Sequence, residues 1–128
     1  MSADLPPPFV CQVVKAHDAD GPLWCKNGIK VRVAGVQAPD WKKASPCRQR
    51  KPGYVCDDAK ARASKRIAEQ LVLDQRLNCK PVDRSWKRVV ARCWLPNGNS
   101  LSCSLIARGA GTKWQTYWRK YKMGGCDA

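Results

Sequence analysis

The eight cysteines of this chain constrain its fold more than any other feature. They stand at wide intervals without one Cys-x-x-Cys pair: Cys11, Cys25, Cys47, Cys56, Cys79, Cys93, Cys103 and Cys126. Structural zinc sites use closely spaced Cys pairs or Cys/His clusters, and the chain has one histidine, so the pattern disfavours zinc. An even, widely spaced set favours disulfides and therefore an oxidising compartment, either the periplasm or the outside of the cell. Free buried thiols in a cytosolic protein are the alternative.

Length and hydropathy indicate one domain without a membrane span. The 128 residues suit a single domain, which we place at residues 9–128 and expect to be monomeric. Residues 1–8 are proline-rich and therefore predict a short extended lead-in. The sequence shows no charged start followed by a long apolar stretch, so we do not expect a signal peptide in it. No apolar run approaches the ~20 residues that cross a bilayer. The cysteine usage is the reason to expect a secreted or periplasmic protein.

The charge of the chain points to a polyanionic partner. Lys and Arg number 24 against 10 Asp and Glu, which gives a formal net charge of +14. So large an excess in a small domain repels itself and usually persists because a partner offsets it, most often nucleic acid. One alternative is a solvated basic surface that does not bind any partner. An anionic membrane is another, weakened by the lack of a long basic amphipathic helix.

Alternating apolar residues and turn signals predict five main strands. They cover residues 9–15, 23–25, 29–36, 76–82 and 88–95. Cys79 and Cys93 lie symmetrically about the turn that joins the last two strands, so they should face each other. Cys47 and Cys56 bracket a polar loop over 41–56 and form the other natural local pair.

A helix over 58–73 separates the first three strands from the last two. Asp57 or Asp58 can cap it, and apolar residues at helical spacing should face the core: Ala59, Ala63, Ile67 and Leu71. A short helix over 102–108 and a last strand over 112–114 follow. This order predicts a mixed α+β, mainly β fold, a five-stranded OB-type barrel with two to three helices and a groove on one face.

Four sequence motifs suggest a family. Residues 17–21 read His-Asp-Ala-Asp-Gly, and residues 31–40 read Val-Arg-Val-Ala-Gly-Val-Gln-Ala-Pro-Asp. These resemble the Asp-Gly-Asp-Thr turn and the Arg-Leu-x-Gly-Ile-Asp-Ala-Pro-Glu strand of the staphylococcal nuclease (thermonuclease-like) family. Residues 86–88, Trp-Lys-Arg, resemble its aromatic-Gly-Arg turn, and residues 105–111 resemble its closing helix. The resemblance spans roughly Val10 to Tyr117.

The resemblance implies a barrel that hydrolyses phosphodiesters in DNA or RNA with a bound calcium ion. By position, Arg32 and Arg88 correspond to the two arginines that neutralise charge on the phosphate. Asp20 corresponds to the first metal aspartate. Asp40 stands, one methylene shorter, where a glutamate assists the attacking water.

Gln37 is the serious departure, because the family has a second metal aspartate there. A neutral amide offers an oxygen without charge, so affinity for a divalent cation should fall. Ala19 and Gly21 also replace the Gly and Thr of the metal turn. A catalytically impaired nucleic-acid-binding or protein-binding module is therefore the alternative to a nuclease, and a disulfide framework for protein–protein contacts is a third hypothesis.

Several residues have simpler interpretations. Asp18, Asp20 and Gly21 are common turn formers, and His17 and Asp83 are also predicted to lie in turns. The basic loop and the C-terminal segment, which interleaves cations with aromatics, provide the predicted nucleic-acid contacts: Arg48, Arg50, Lys51, Lys113, Tyr117, Arg119 and Lys120. Tyr117 lies near the position of a tyrosine that lines the family's nucleotide pocket. Trp114 and Trp118 suit either base stacking or packing under the barrel.

Overall fold

Five strands close into a barrel in the computed structural model, which describes residues 5–85 and 87–126. The described residues form seven strands: β1 (Phe9–Ala16), β2 (Leu23–Cys25), β3 (Lys30–Val33), β4 (Val36–Gln37), β5 (Arg76–Ser85), β6 (Arg88–Trp94) and β7 (Thr112–Lys113). The barrel order is β1-β2-β3-β6-β5, in which β3 and β6 are parallel and the other pairs are antiparallel. The prediction of a mainly β, OB-like five-stranded barrel is confirmed at that level. Lead-in residues 1–4 and Trp86 of the predicted aromatic turn lie outside the described residues.

Four helices occur in the described part of the chain, against the two to three predicted. They are α1 (Ser45–Arg48), α2 (Asp58–Val72), α3 (Leu101–Ala107) and α4 (Gln115–Lys120). The loop predicted over 41–56 thus contains a helical turn, α1, started by a proline in its first turn. Helix α4 was not predicted, because its mixture of aromatic and basic residues has no clear apolar period.

The predicted core-facing side of α2 is confirmed in part, since Ile67 and Leu71 pack against the core. Ala59 and Ala63 are exposed, while Ala61 and Ser64 are buried. Ser64 donates its hydroxyl hydrogen bond to the carbonyl of Ala110, which satisfies a polar group inside the protein. The four-residue spacing was correct, but alanines fit either face, so composition could not fix the rotation of the helix. Asp57 caps α2 by accepting a hydrogen bond from the backbone N–H of Lys60 at 3.0 Å.

Two strand predictions needed correction. The predicted strand over 29–36 breaks at Gly35, whose φ of +75° no ordinary strand residue adopts. A Cβ at Gly35 would lie 2.8 Å from Cε3 of Trp118, so the break also makes room for that ring. Asp83, assigned to a turn from sequence, lies within β5 and pairs with Val90, because β5 continues past the predicted end through a register shift.

Apolar side chains from the barrel, α2 and α3 form the main core, with Val31, Val33 and Leu77 fully buried. A second cluster on the outside of β3 and β6 contains Ala34, Val90, Trp118 and Met123. This second cluster anchors α4 to the barrel wall. Strand β7 also pairs with β4, so the C-terminal segment is fixed beside the end of β3.

Four disulfides use all eight cysteines. The predicted pairs are confirmed: Cys79 faces Cys93 across β5 and β6, and Cys47 bonds to Cys56. The other two bonds join Cys11 to Cys25 and Cys103 to Cys126. Four disulfides indicate an oxidising, extracellular-type environment, which replaces the free-thiol alternative. Within residues 5–85 and 87–126, no helix has the length and apolar character needed to cross a membrane.

Candidate functional site

A polar cavity of about 670 Å³ opens beside β3, between the 17–22 turn, the disulfide-bonded loop over 41–56 and helix α4. Both predicted phosphate arginines line it, and so do five of the other ten predicted site residues. The predicted residues on its wall are Asp20, Arg32, Gln37, Asp40, Arg88, Tyr117 and Lys120. Residues distant in sequence thus meet on one surface.

Strand alternation places Arg32 in the cavity. Its neighbours Val31 and Val33 point into the core, so Arg32 points away from it. The Arg32 Nη1 atom lies 3.5 Å from Oδ2 of Asp20, and the guanidinium carbon lies 5.4 Å from the ring centroid of Trp114. A carboxylate on one side and an aromatic ring beside it hold the guanidinium in place.

Gly21 allows the turn to lie directly against β3. Its φ is +105°, and a Cβ there would approach the carbonyl oxygen of Val31 to 2.5 Å. A side chain would therefore push the turn away from the strand. Glycine in place of the family's threonine thus fits a close approach that keeps Asp20 beside Arg32.

Three aspartates influence one another in this cavity. Burial raises the pKa of Asp18, Asp20 and Asp40, and the charge of Asp20 raises the pKa of the other two further. The positive charge of Arg32 opposes this rise in Asp20 and Asp40. Asp18, interpreted from sequence as a turn former, also lines the cavity and lies 3.5 Å from His17 Nε2. The Asp-x-Asp spacing was the available signal for it.

Gln37 joins β4 to the disulfide-bonded loop beside the cavity. Its side-chain amide nitrogen donates a hydrogen bond of 2.6 Å to the carbonyl of Gly53 in the disulfide-bonded loop. An aspartate could not make this contact, because a carboxylate has no hydrogen to donate. Gln37 thus has a structural partner that the sequence did not indicate.

The cation ligands implied by the family resemblance are Asp20 and Gln37. Asp20 Oδ2 accepts a 3.3 Å hydrogen bond from the backbone N–H of Ala38, in addition to its contact with Arg32. No group of three His, Cys, Asp or Glu side chains in the described ranges could hold a metal ion. The two predicted ligands therefore offer one carboxylate and one amide oxygen, a sparse donor set for calcium, which usually takes six to eight oxygens. A calcium site stays a prediction.

A second ionic group, formed by Asp83 and Lys120, lines the same cavity. The Asp83 Oδ2 atom accepts a 2.9 Å hydrogen bond from the Tyr121 hydroxyl and lies 3.2 Å from Lys120 Nζ. Burial and the Asp83 carboxylate raise the pKa of Tyr121, so its hydroxyl remains a donor. Asp83 connects β5 to α4, and Arg88 lines the same cavity from the start of β6.

Four aromatic rings form a continuous series along the cavity. Tyr54 contacts Trp114 edge-on, Trp114 contacts Tyr117 edge-on, and Tyr117 stacks on Tyr121, at centroid distances of 6.0, 5.0 and 5.9 Å. We call these four residues the aromatic series. Tyr54 and Tyr121 were not singled out from sequence, because Tyr54 stands alone in a loop and Tyr121 was treated as part of a basic segment. Trp118 is buried in the second core cluster, which confirms the packing interpretation for this residue. Trp114 lines the cavity, and its stacking on a base stays a prediction.

The remaining predicted nucleic-acid contacts lie outside the cavity wall. Arg48, Arg50 and Lys51 are exposed on α1 and the turn after it, and Arg119 is exposed on α4. Lys113 places its Nζ atom 4.9 Å from the ring centroid of Trp118. These cations add positive charge around the cavity, and their role in binding stays a prediction.

A scan against protein-family models found no match to this chain, and a search of curated proteins found none either. The resemblance to the staphylococcal nuclease family therefore rests on the sequence motifs alone.

Proposed function

We propose that this protein binds nucleic acid in the cavity and hydrolyses a phosphodiester bond held between Arg32 and Arg88. The observation that carries the proposal is the meeting of both arginines and Asp40 in one cavity flanked by the aromatic series. Guanidinium groups match phosphate oxygens bidentately, and aromatic rings stack on bases. The net charge of +14 would attract the polyanion over longer distances.

In the proposed reaction, water attacks the phosphorus and the bond from phosphorus to the leaving oxygen breaks. Asp40 accepts the proton from the attacking water, and its burial-raised pKa makes it a better base than an exposed aspartate. Arg32 and Arg88 stabilise the charge that develops on the phosphoryl oxygens. A divalent cation bound by Asp20 and the amide oxygen of Gln37 would add further charge neutralisation.

A protein that binds nucleic acid without cleaving it is the second candidate. The hydrogen bond from Gln37 to Gly53 favours this function, because it gives the glutamine a structural role in place of a metal-binding one. Such a protein would retain the arginines and the aromatic series, since these suffice for binding. The four disulfides support secretion or periplasmic location under either proposal.

The test incubates the oxidised protein with labelled single-stranded DNA, RNA and duplex DNA in calcium, magnesium, manganese or chelator. Cleavage by the wild type that is abolished in Arg32→Ala would support hydrolysis at this site. Loss of cleavage in chelator would show that the reaction also requires a divalent cation. Salt-dependent binding without cleavage in any metal would support the binding-only function. Failure to bind any of the three at low salt would contradict both.

A further inference from the structure

Trp24 lies on the outer face of the barrel between two lysines. Its partner residues in the adjacent strands are Lys15 on β1 and Lys30 on β3. The Nζ atoms of Lys15 and Lys30 lie 5.3 and 4.4 Å from the centroid of the Trp24 ring. We call these three residues the tryptophan clamp. They form a row across three strands, away from both core clusters.

The ring is exposed although its strand is firmly held. Trp24 keeps 37% of its surface accessible, whereas Leu23 and Cys25 on either side are buried. The disulfide from Cys25 to Cys11 ties β2 to β1 immediately beside the ring. Strand β2 therefore holds the Trp24 ring in position before a ligand binds. This reduces the conformational entropy that is lost on binding.

The tryptophan clamp is continuous with the cavity. Lys30 and Arg32 are two residues apart on β3 and therefore point from the same face, about 6.6 Å apart along the strand. Arg32 contacts Trp114 of the aromatic series, and Lys30 contacts Trp24. Two ring–cation groups, Trp114 with Arg32 and Trp24 with Lys30, thus lie next to each other along β3 and link the cavity to the outer face of the barrel.

We propose that a single-stranded nucleic acid leaving the cavity continues over the tryptophan clamp, which stacks one base and binds the adjoining phosphates. The proposal rests on the proposed function, since it extends the same binding track beyond the cavity. Lysine side chains are flexible, so each ammonium can move from the Trp24 ring to a phosphate while a base takes the ring face. A ring between cations suits a nucleotide strand, because each unit brings one aromatic base and one negative charge.

The test compares oligonucleotides that differ in length. Binding of a fluorescent tetranucleotide and a fluorescent dodecanucleotide of single-stranded DNA is measured by anisotropy, with chelator present to prevent cleavage. Trp24→Leu should weaken binding of the dodecanucleotide about tenfold, the size of one lost stacking contact, and leave binding of the tetranucleotide unchanged. Trp24→Phe, which keeps a ring, should retain most of the affinity.

Trp94 provides the matched control. It lies on β6, with the guanidinium carbon of Arg92 5.4 Å from its ring centroid, and β6 carries no residue of the tryptophan clamp. Trp94→Leu should leave binding of both oligonucleotides unchanged. Lys15→Ala should reduce the salt dependence of dodecanucleotide binding, whereas Lys80→Ala should reduce it less, because Lys80 is exposed elsewhere on β5.

The outcomes separate this inference from the proposed function. Wild-type protein that binds neither oligonucleotide contradicts the proposed function itself. Wild-type binding that Trp24→Leu leaves intact for the dodecanucleotide overturns the tryptophan clamp alone. Equal weakening for both lengths, with an unchanged circular dichroism spectrum, also overturns it, because Trp24 would then act within the cavity. Trp24-dependent binding to phosphatidylserine vesicles, without an effect on the dodecanucleotide, would assign the clamp to a membrane surface instead.

Discussion

The Nη1 atom of Arg32 lies 3.5 Å from Oδ2 of Asp20, so a positive and a negative group share the place proposed for the phosphate. Asp20→Asn should therefore tighten binding of a single-stranded oligonucleotide by about fivefold, which corresponds to about 1 kcal/mol of relieved repulsion. Cleavage should decrease in the same variant if Asp20 holds the cation. Asp74→Asn is the control, since Asp74 is an exposed acid outside the cavity. Weaker binding by Asp20→Asn would contradict the assigned position of the phosphate.

Gln37 permits a comparison of two substitutions of equal size. Gln37→Asp and Gln37→Asn both shorten the side chain away from Gly53, but only aspartate adds a negative charge. Gln37→Asp should bind calcium about tenfold more tightly than Gln37→Asn, because hard cations prefer charged oxygen ligands. Calorimetric titration with calcium measures the difference. Equal calcium affinities of the two variants would show that residue 37 does not bind a cation.

The pH dependence of stability should reveal the contacts of Asp83. Partial burial works to raise the pKa of Asp83, but hydrogen bonds from the Arg84 backbone, Tyr121 and Lys120 outweigh it and lower the pKa. The ionised carboxylate therefore stabilises the fold fully above the ordinary value of 3.8, and this contribution is lost as pH falls through the lowered value. Asp83→Asn should lower the melting temperature near pH 7 and match the wild type at the lowest pH. A pH-independent difference would contradict the ionic contact.

The disulfide between Cys47 and Cys56 should stabilise the cavity wall more than it stabilises the barrel strands. It closes the segment that supplies Tyr54 to the cavity wall and Gly53 to the hydrogen bond from Gln37, whereas Cys79 and Cys93 join two barrel strands. Replacing Cys47 and Cys56 together with serine should lower the free energy of unfolding by about 2 kcal/mol and weaken oligonucleotide binding. Denaturant titration and anisotropy measure the two effects. Unchanged oligonucleotide binding by the serine variant would show that the disulfide-bonded loop does not contribute to the binding site.

Local signals predicted the barrel well. Strand alternation and turn residues placed the five barrel strands in sequence order. The symmetric spacing of Cys79 and Cys93 about a turn before Arg88 predicted their pairing, because both cysteines belong to one hairpin. The predicted C-terminal end of β5 was wrong, since the strand continues through Asp83 by pairing with β6. Pairing with a neighbouring strand is a tertiary effect that single-strand patterns do not contain.

The composition of the site was only partly predictable. The motifs identified Asp20, Arg32 and Arg88, and the fold brings them to one cavity. The hydrogen bond from Gln37 to Gly53 and the contact from Tyr54 to Trp114 depend on how a disulfide-bonded loop packs against α4 and β4, so no local pattern contains them. The tryptophan clamp likewise depends on strand register, which places three residues of separate strands in one row.

Cleavage and binding of one labelled single-stranded oligonucleotide, measured on the same protein samples, test the central claim most directly. Wild-type protein should bind and cut it, and Arg32→Ala and Arg88→Ala should each lower the cleavage rate about 100-fold or more. Arg108→Ala, which removes an exposed cation outside the cavity wall, should stay close to the wild type. Wild-type levels of both cleavage and binding in Arg32→Ala and Arg88→Ala would contradict the account.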